Sequence, residues 1–93
     1  MNRIRLGTKV VPEMTVKFTL RGRAFEKGKE DLSRAAKELN PGRIQKYSAV
    51  VNGIRFPIRQ LVSALTGVPT IEITSQDAYR ILQKFGLEIG IDE

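Results

Sequence analysis

Asn52-Gly53 stands between two short apolar runs and constrains the fold more than any other feature of the chain. Both central positions of a type I′ turn need φ > 0, which this pair tolerates, so it predicts a two-residue β-hairpin. Tyr47-Ser48-Ala49-Val50-Val51 supplies the incoming strand and Ile54-Arg55-Phe56 the short return. Pro57 follows at once, where a missing N–H costs a helix nothing, and Ile58, Leu61, Val62 and Leu65 then mark a buried helical face. Gly67 and Pro69 end that helix.

The flanking segments read in the same way. Met14, Val16, Phe18 and Leu20 alternate with Thr15, Lys17 and Thr19, which predicts a half-buried strand over 14–20. Arg21-Gly22-Arg23 turns the chain. Phe25, Leu32, Ala35, Ala36 and Leu39 recur at helical spacing and predict an amphipathic helix over roughly 27–39, which Asn40-Pro41-Gly42 stops. Residues 70–74 alternate weakly as a strand. Ser75 reads as an N-cap with Asp77 in the first turn, and Ala78, Ile81, Leu82 and Phe85 form the last helical face before Gly86. Leu87, Glu88 and Ile89 suggest a closing edge strand. The expected order is β-α-β-β-α-(β)-α-β: a single α+β domain over 1–93 with about three helices and short antiparallel strands. Residues 1–12 form its loosest part.

The 93 residues include no cysteine and no histidine. Disulfides, thiolate nucleophiles and cysteine-ligated zinc are therefore excluded within this chain, as are histidine general bases. The acids Glu26, Glu30 and Asp31 cluster where a helix start favours negative charge, not as a paired-carboxylate metal site. The expectation is a non-enzyme without cofactor or metal. No apolar run approaches a membrane span, and no h-region follows the N-terminal cations, so the expected setting is cytoplasmic, without a membrane partner.

Net charge is +6 with a pI of about 10.1, which favours polyanionic partners. The distribution is uneven. Over 41–60 the chain carries Arg43, Lys46, Arg55 and Arg59 and no acid, whereas 26–40 mixes both signs at helical spacing. The acid-free stretch is the candidate anion-facing surface, joined by part of 1–25; the alternative is that its cations point in different directions. Within it, Asn52, Arg55, Phe56, Pro57, Arg59 and Gln60 put a tight turn, a strand and a helix start into nine residues. Free helix-start N–H groups suit a phosphate, and arginine and glutamine suit base edges. The blander reading keeps Phe56 in the core and Arg59 in solvent. Arg21 and Arg23, beside Gly22, Lys27, Gly28 and Lys29, form a candidate basic loop for backbone phosphates. Arg80 and Lys84, with Gln76 and Gln83, line the polar face of the last helix, which is also what a solvated face looks like.

The run Tyr47-x-x-Val50-Val51-Asn52-Gly53-x-x-Phe56-Pro57-x-Arg59-Gln60, followed by an apolar helix and Ser75-x-x-Ala78-x-x-Ile81-Leu82-x-x-Phe85-Gly86-Leu87, resembles small DNA-reading domains of modification-dependent restriction enzymes. These include the sulfur-binding domains that recognise phosphorothioate DNA. The resemblance covers about half of the chain. It implies that Phe56 and Pro57 line a shallow apolar pocket for the sulfur, with Gln60 at its edge and Arg59 in the basic slot. The aromatic is Phe where the family carries Tyr, and Gln60 stands where a small residue would open the pocket. With no histidine or cysteine in the chain, the resemblance further implies a reader without its nuclease, either free-standing or working with a separate nuclease or effector protein.

The expected function is thus a non-catalytic nucleic-acid-binding module, with double-stranded DNA ahead of RNA. An RNA-binding role would use Tyr47, Phe56 and Tyr79 as stackers. A third possibility is a basic interaction subunit that pairs edge to edge through 14–20 or 87–89.

Overall fold

The computed structural model describes residues 15–44 and 46–91, and shows a small α+β fold with three helices and two antiparallel sheets. Strands β1 (Thr15–Leu20) and β2 (Arg23–Gly28) form one hairpin. Helix α1 (Lys29–Lys37) follows directly. Strands β3 (Tyr47–Val51) and β4 (Ile54–Pro57) form a second hairpin, which passes straight into α2 (Ile58–Thr66). A short 3-10 turn (Thr70–Glu72), helix α3 (Ser75–Lys84) and strand β5 (Gly90–Ile91) complete the chain. The second sheet has the order β4-β3-β5. The anticipated N-terminal arm, 1–12, and Met14 lie outside the described residues.

The hairpin at Asn52-Gly53 forms with the expected geometry: φ is +56° at Asn52 and +78° at Gly53, and Val51 pairs with Ile54. The first hairpin repeats this turn at Arg21 (φ +55°) and Gly22 (φ +76°), with Leu20 opposite Arg23. Strand β2 was not expected. Phe25 matched the spacing of the following helix, yet it lies opposite Phe18 on the hairpin, with the rings stacked 5.4 Å apart. The helix therefore starts at Lys29, where Asp31 Oδ2 accepts the Gly28 N–H at 2.7 Å. Residues 70–72 wind into a 3-10 turn instead of a strand, with Glu72 and Ile73 donating N–H bonds to the Pro69 and Thr70 carbonyls. The cap of α3 is Thr74, whose hydroxyl accepts the Asp77 N–H, so Ser75 is the first helical residue. Pro57 likewise caps α2 from the end of β4. The closing strand lies just beyond 87–89, because Gly90 is the residue opposite Ser48; a Cβ there would come within 3.3 Å of the Ser48 hydroxyl.

Strand β1 keeps its predicted alternation, with Phe18 and Leu20 buried and Thr15, Lys17 and Thr19 exposed. Phe18 meets Phe85 edge-on, which joins the first hairpin to the end of α3. Helix α2 lies between α1 and α3, and Leu61 and Val62 on it are completely buried. Burial of these aliphatic side chains contributes about 1.5–3 kcal/mol each and is the main source of stability. Asn52 ties the second hairpin to α1: its Oδ1 accepts the Ser33 hydroxyl at 2.7 Å and its Nδ2 donates to the Ser33 carbonyl at 3.0 Å.

Two substitutions test the turns. Asn52→Gly keeps the positive φ but loses both Ser33 bonds, so stability should fall by about 0.5–2 kcal/mol in urea unfolding. Arg21→Asn gives a bulky left-handed residue a side chain that suits the turn, and should raise stability by up to about 1 kcal/mol.

Candidate functional site

The corner between β4 and α2 builds the site. Strand alternation sends Phe56 inward and Pro57 outward, and the first helical turn then places Arg59 and Gln60 beside Pro57. A cavity of about 340 Å³ opens there, lined by Gly42, Arg43, Lys46, Tyr47, Pro57, Ile58, Arg59, Gln60, Thr70 and Ser75. It brings together three cations and three hydroxyl-bearing residues, Tyr47, Thr70 and Ser75, with no carboxylate among the lining residues. The α2 N-terminus has neither a side-chain cap nor an acid in its first turn, so its partial positive charge adds to that of the cations.

Arg43 and Lys46 are exposed and have no hydrogen-bond or ion-pair partner among the described residues, apart from a contact of the Lys46 ammonium with the Tyr47 ring at 5.3 Å. Tyr47 is held from the side by Tyr79, edge to face at 5.6 Å. Arg59 is half-buried. Its Nη2 donates to the Thr70 carbonyl at 2.8 Å, and its Nε is buried without a partner among the described residues. Gln60 does not face outward as a base reader. Its Oε1 accepts the Gly42 N–H and its Nε2 donates to the Asn40 carbonyl, both at 2.8 Å, which spends the amide on holding the loop that carries Arg43.

The other anticipated contact residues do not converge here. Phe56 is 0% exposed and belongs to the core, so its ring offers no surface to a sulfur or a base. Asn52 is used by Ser33, at the far end of the hairpin. Arg55 lines a second cavity with Val50 and residues 88–91, where its Nη2 donates to the Ser48 hydroxyl at 3.2 Å. Arg21 sits in the first turn, and the Arg23 guanidinium lies 5.1 Å from the centre of the Phe25 ring. Arg80 donates to the Thr19 carbonyl at 3.2 Å and lies 3.5 Å from Asp77, while Lys84 donates to the Lys17 carbonyl at 3.3 Å. Both carbonyls lie on the outer edge of β1, so α3 covers positions that edge-to-edge pairing would need.

Thr70 and Ser75 were not anticipated at the site. The signals for them were present: Thr74 with Asp77 three residues on makes a cap pattern that moves Ser75 into the helix, and Pro69 breaks the weak alternation over 70–74. Among the described residues, no group of acids could hold a metal ion, and no helix is long and apolar enough to cross a membrane. No protein family, curated protein or solved structure matches this chain.

The Gln60 clamp is directly testable. Gln60→Ala removes two hydrogen bonds and should lower stability by about 1–2 kcal/mol. Trypsin should then cleave after Arg43 faster than in the wild type, because the loop is no longer held.

Proposed function

We propose that this chain is a non-catalytic nucleic-acid-binding module that holds a phosphate group of DNA in the cavity at the start of α2. The observation that carries this reading is the convergence of Arg43, Lys46 and Arg59 on one carboxylate-free concavity. Three like charges gathered without a counter-charge repel one another, and an anion relieves that repulsion. Two of them reach solvent unpaired among the described residues, so they are available to a ligand at no cost in internal bonds.

The cavity mixes these cations with Pro57, Ile58 and Tyr47. A phosphorothioate keeps the negative charge and replaces one oxygen with a larger, less hydrated sulfur. Apolar surface beside cations suits that exchange, which supports the resemblance to sulfur-reading domains, with Tyr47 in the place expected for Phe56. On this reading the DNA cleavage that such readers direct belongs to a separate nuclease or effector protein.

The test is fluorescence anisotropy of a labelled DNA duplex at several salt concentrations, with and without backbone phosphorothioates. Affinity should fall steeply with salt, and Arg43→Ala and Lys46→Ala should each lower the log–log salt slope by about one. Phosphorothioates should tighten binding. Arg34→Ala, which removes a cation paired with Asp31 on α1, should leave the slope unchanged. Absence of binding at low salt would refute the reading.

A further inference from the structure

We infer that this cavity prefers a terminal phosphomonoester, the 5′-phosphate of a nucleic-acid end or of a free nucleotide, over a phosphodiester within a strand. The inference rests on the proposed phosphate-binding role of the site and specifies its ligand.

Shape and charge both point this way. A surface that follows a duplex backbone spreads its cations so that each meets a different phosphate. Here the cations converge. Arg43 comes from the loop after α1, Lys46 from the segment before β3 and Arg59 from the first turn of α2, and all three line one cavity of about 340 Å³. That volume lies at the small end of the range for small-ligand sites, about 300–1,000 Å³. Several other basic side chains among the described residues are engaged elsewhere. Arg55 bonds Ser48 across the sheet, Arg80 and Lys84 bond the edge of β1, and Arg23 lies against Phe25.

An internal phosphodiester brings one negative charge and two unbridged oxygens. A phosphomonoester brings close to two charges at pH 7 and three strong acceptor oxygens. Three cations, the Thr70 and Ser75 hydroxyls and the α2 N-terminus match the second inventory better than the first. Tyr47 and Pro57 on the same wall give an apolar surface for the sugar or base attached to that phosphate.

The charge step provides an internal signature. The second ionisation of a phosphomonoester falls near pH 6. The chain has no histidine, and the cavity wall carries Arg43, Lys46, Arg59 and Tyr47 but no carboxylate. Among the described residues, the acids on the adjoining elements are Glu38 at the end of α1, Glu72 in the 3-10 turn, Asp77 in α3 and Glu88 ahead of β5. None lines the cavity, and Asp77 lies beside Arg80. Binding of a phosphomonoester should therefore strengthen as pH rises from 5 to 7.5, as the ligand gains its second charge, while binding of a phosphodiester should not.

The experiment compares two oligonucleotides of one sequence, labelled at the 3′ end, one with a 5′-phosphate and one with a 5′-hydroxyl. Each is titrated with the full chain at pH 5 and 7.5, and a nucleoside monophosphate serves as competitor. The 5′-phosphate should improve affinity about tenfold or more at pH 7.5, as one or more added charge-assisted bonds would. The gain should shrink at pH 5 and disappear in Arg43→Ala, whose exposed side chain has no role in packing. If the nucleoside monophosphate competes fully, the ligand chemistry stands and a free nucleotide is its source. If it competes weakly, the source is a nucleic-acid end. Equal affinity for both oligonucleotides would overturn the inference and leave the nucleic-acid reading standing. Binding of neither oligonucleotide and no competitor binding by calorimetry would overturn both.

Discussion

The burial of Phe56 fixes the geometry of the site. Its ring sits in the core at the last inward position of β4, so the chain has no freedom at the corner where strand becomes helix. With Phe56 in, Pro57 must point out, and with Pro57 preset at φ −60° the helix begins at the next residue. The first turn of α2 then faces the cavity on one side, while Ile58, Leu61 and Val62 enter the core on the other. The residue that seemed best suited to touch a ligand is instead the one that aims its neighbours.

Around that corner, the polar side chains divide into those that hold the structure and those that remain free. Gln60 holds the loop over 40–42 and Arg59 holds Thr70, so two neighbouring helix residues fasten both walls of the cavity. Arg43 and Lys46 are carried by what is fastened but have no internal hydrogen bonds of their own among the described residues. A preorganised site needs this division, because a cation that is free to bind still benefits from a fixed point of attachment.

Much of this was legible from residue patterns. Asn52-Gly53 gave the second hairpin, strict alternation gave β1, and helical spacing gave the three helices. Strand β2 was not legible, for two reasons. Arg21 seldom takes positive φ, so Arg21-Gly22 did not read as a hairpin turn, and Phe25 happens to lie one heptad before Leu32. The acid-free run over 41–60 located the cavity, but sequence could not sort its members. Arg55 and Arg59 are four residues apart, and with the change from strand to helix between them they line different cavities. Gln60 reads as a base-reading group because an amide bonds a backbone carbonyl as readily as an adenine. Only the fold shows which it has met.

Arg80 and Lys84 are one helical turn apart, and the carbonyls they reach, Thr19 and Lys17, are two strand residues apart. The two repeats nearly coincide in length, about 6.0 Å along a helix and 6.6–6.8 Å along a strand. The consequence concerns the order of assembly. The first hairpin is local and can close early, but among the described residues the side chains that reach its outer edge come 61 and 67 residues further along. At roughly 5–20 residues per second of synthesis, β1 spends several seconds without these α3 contacts on that edge. Lys17 on that strand, and Lys27 and Lys29 nearby, are charges of the kind that discourage foreign pairing during such an interval.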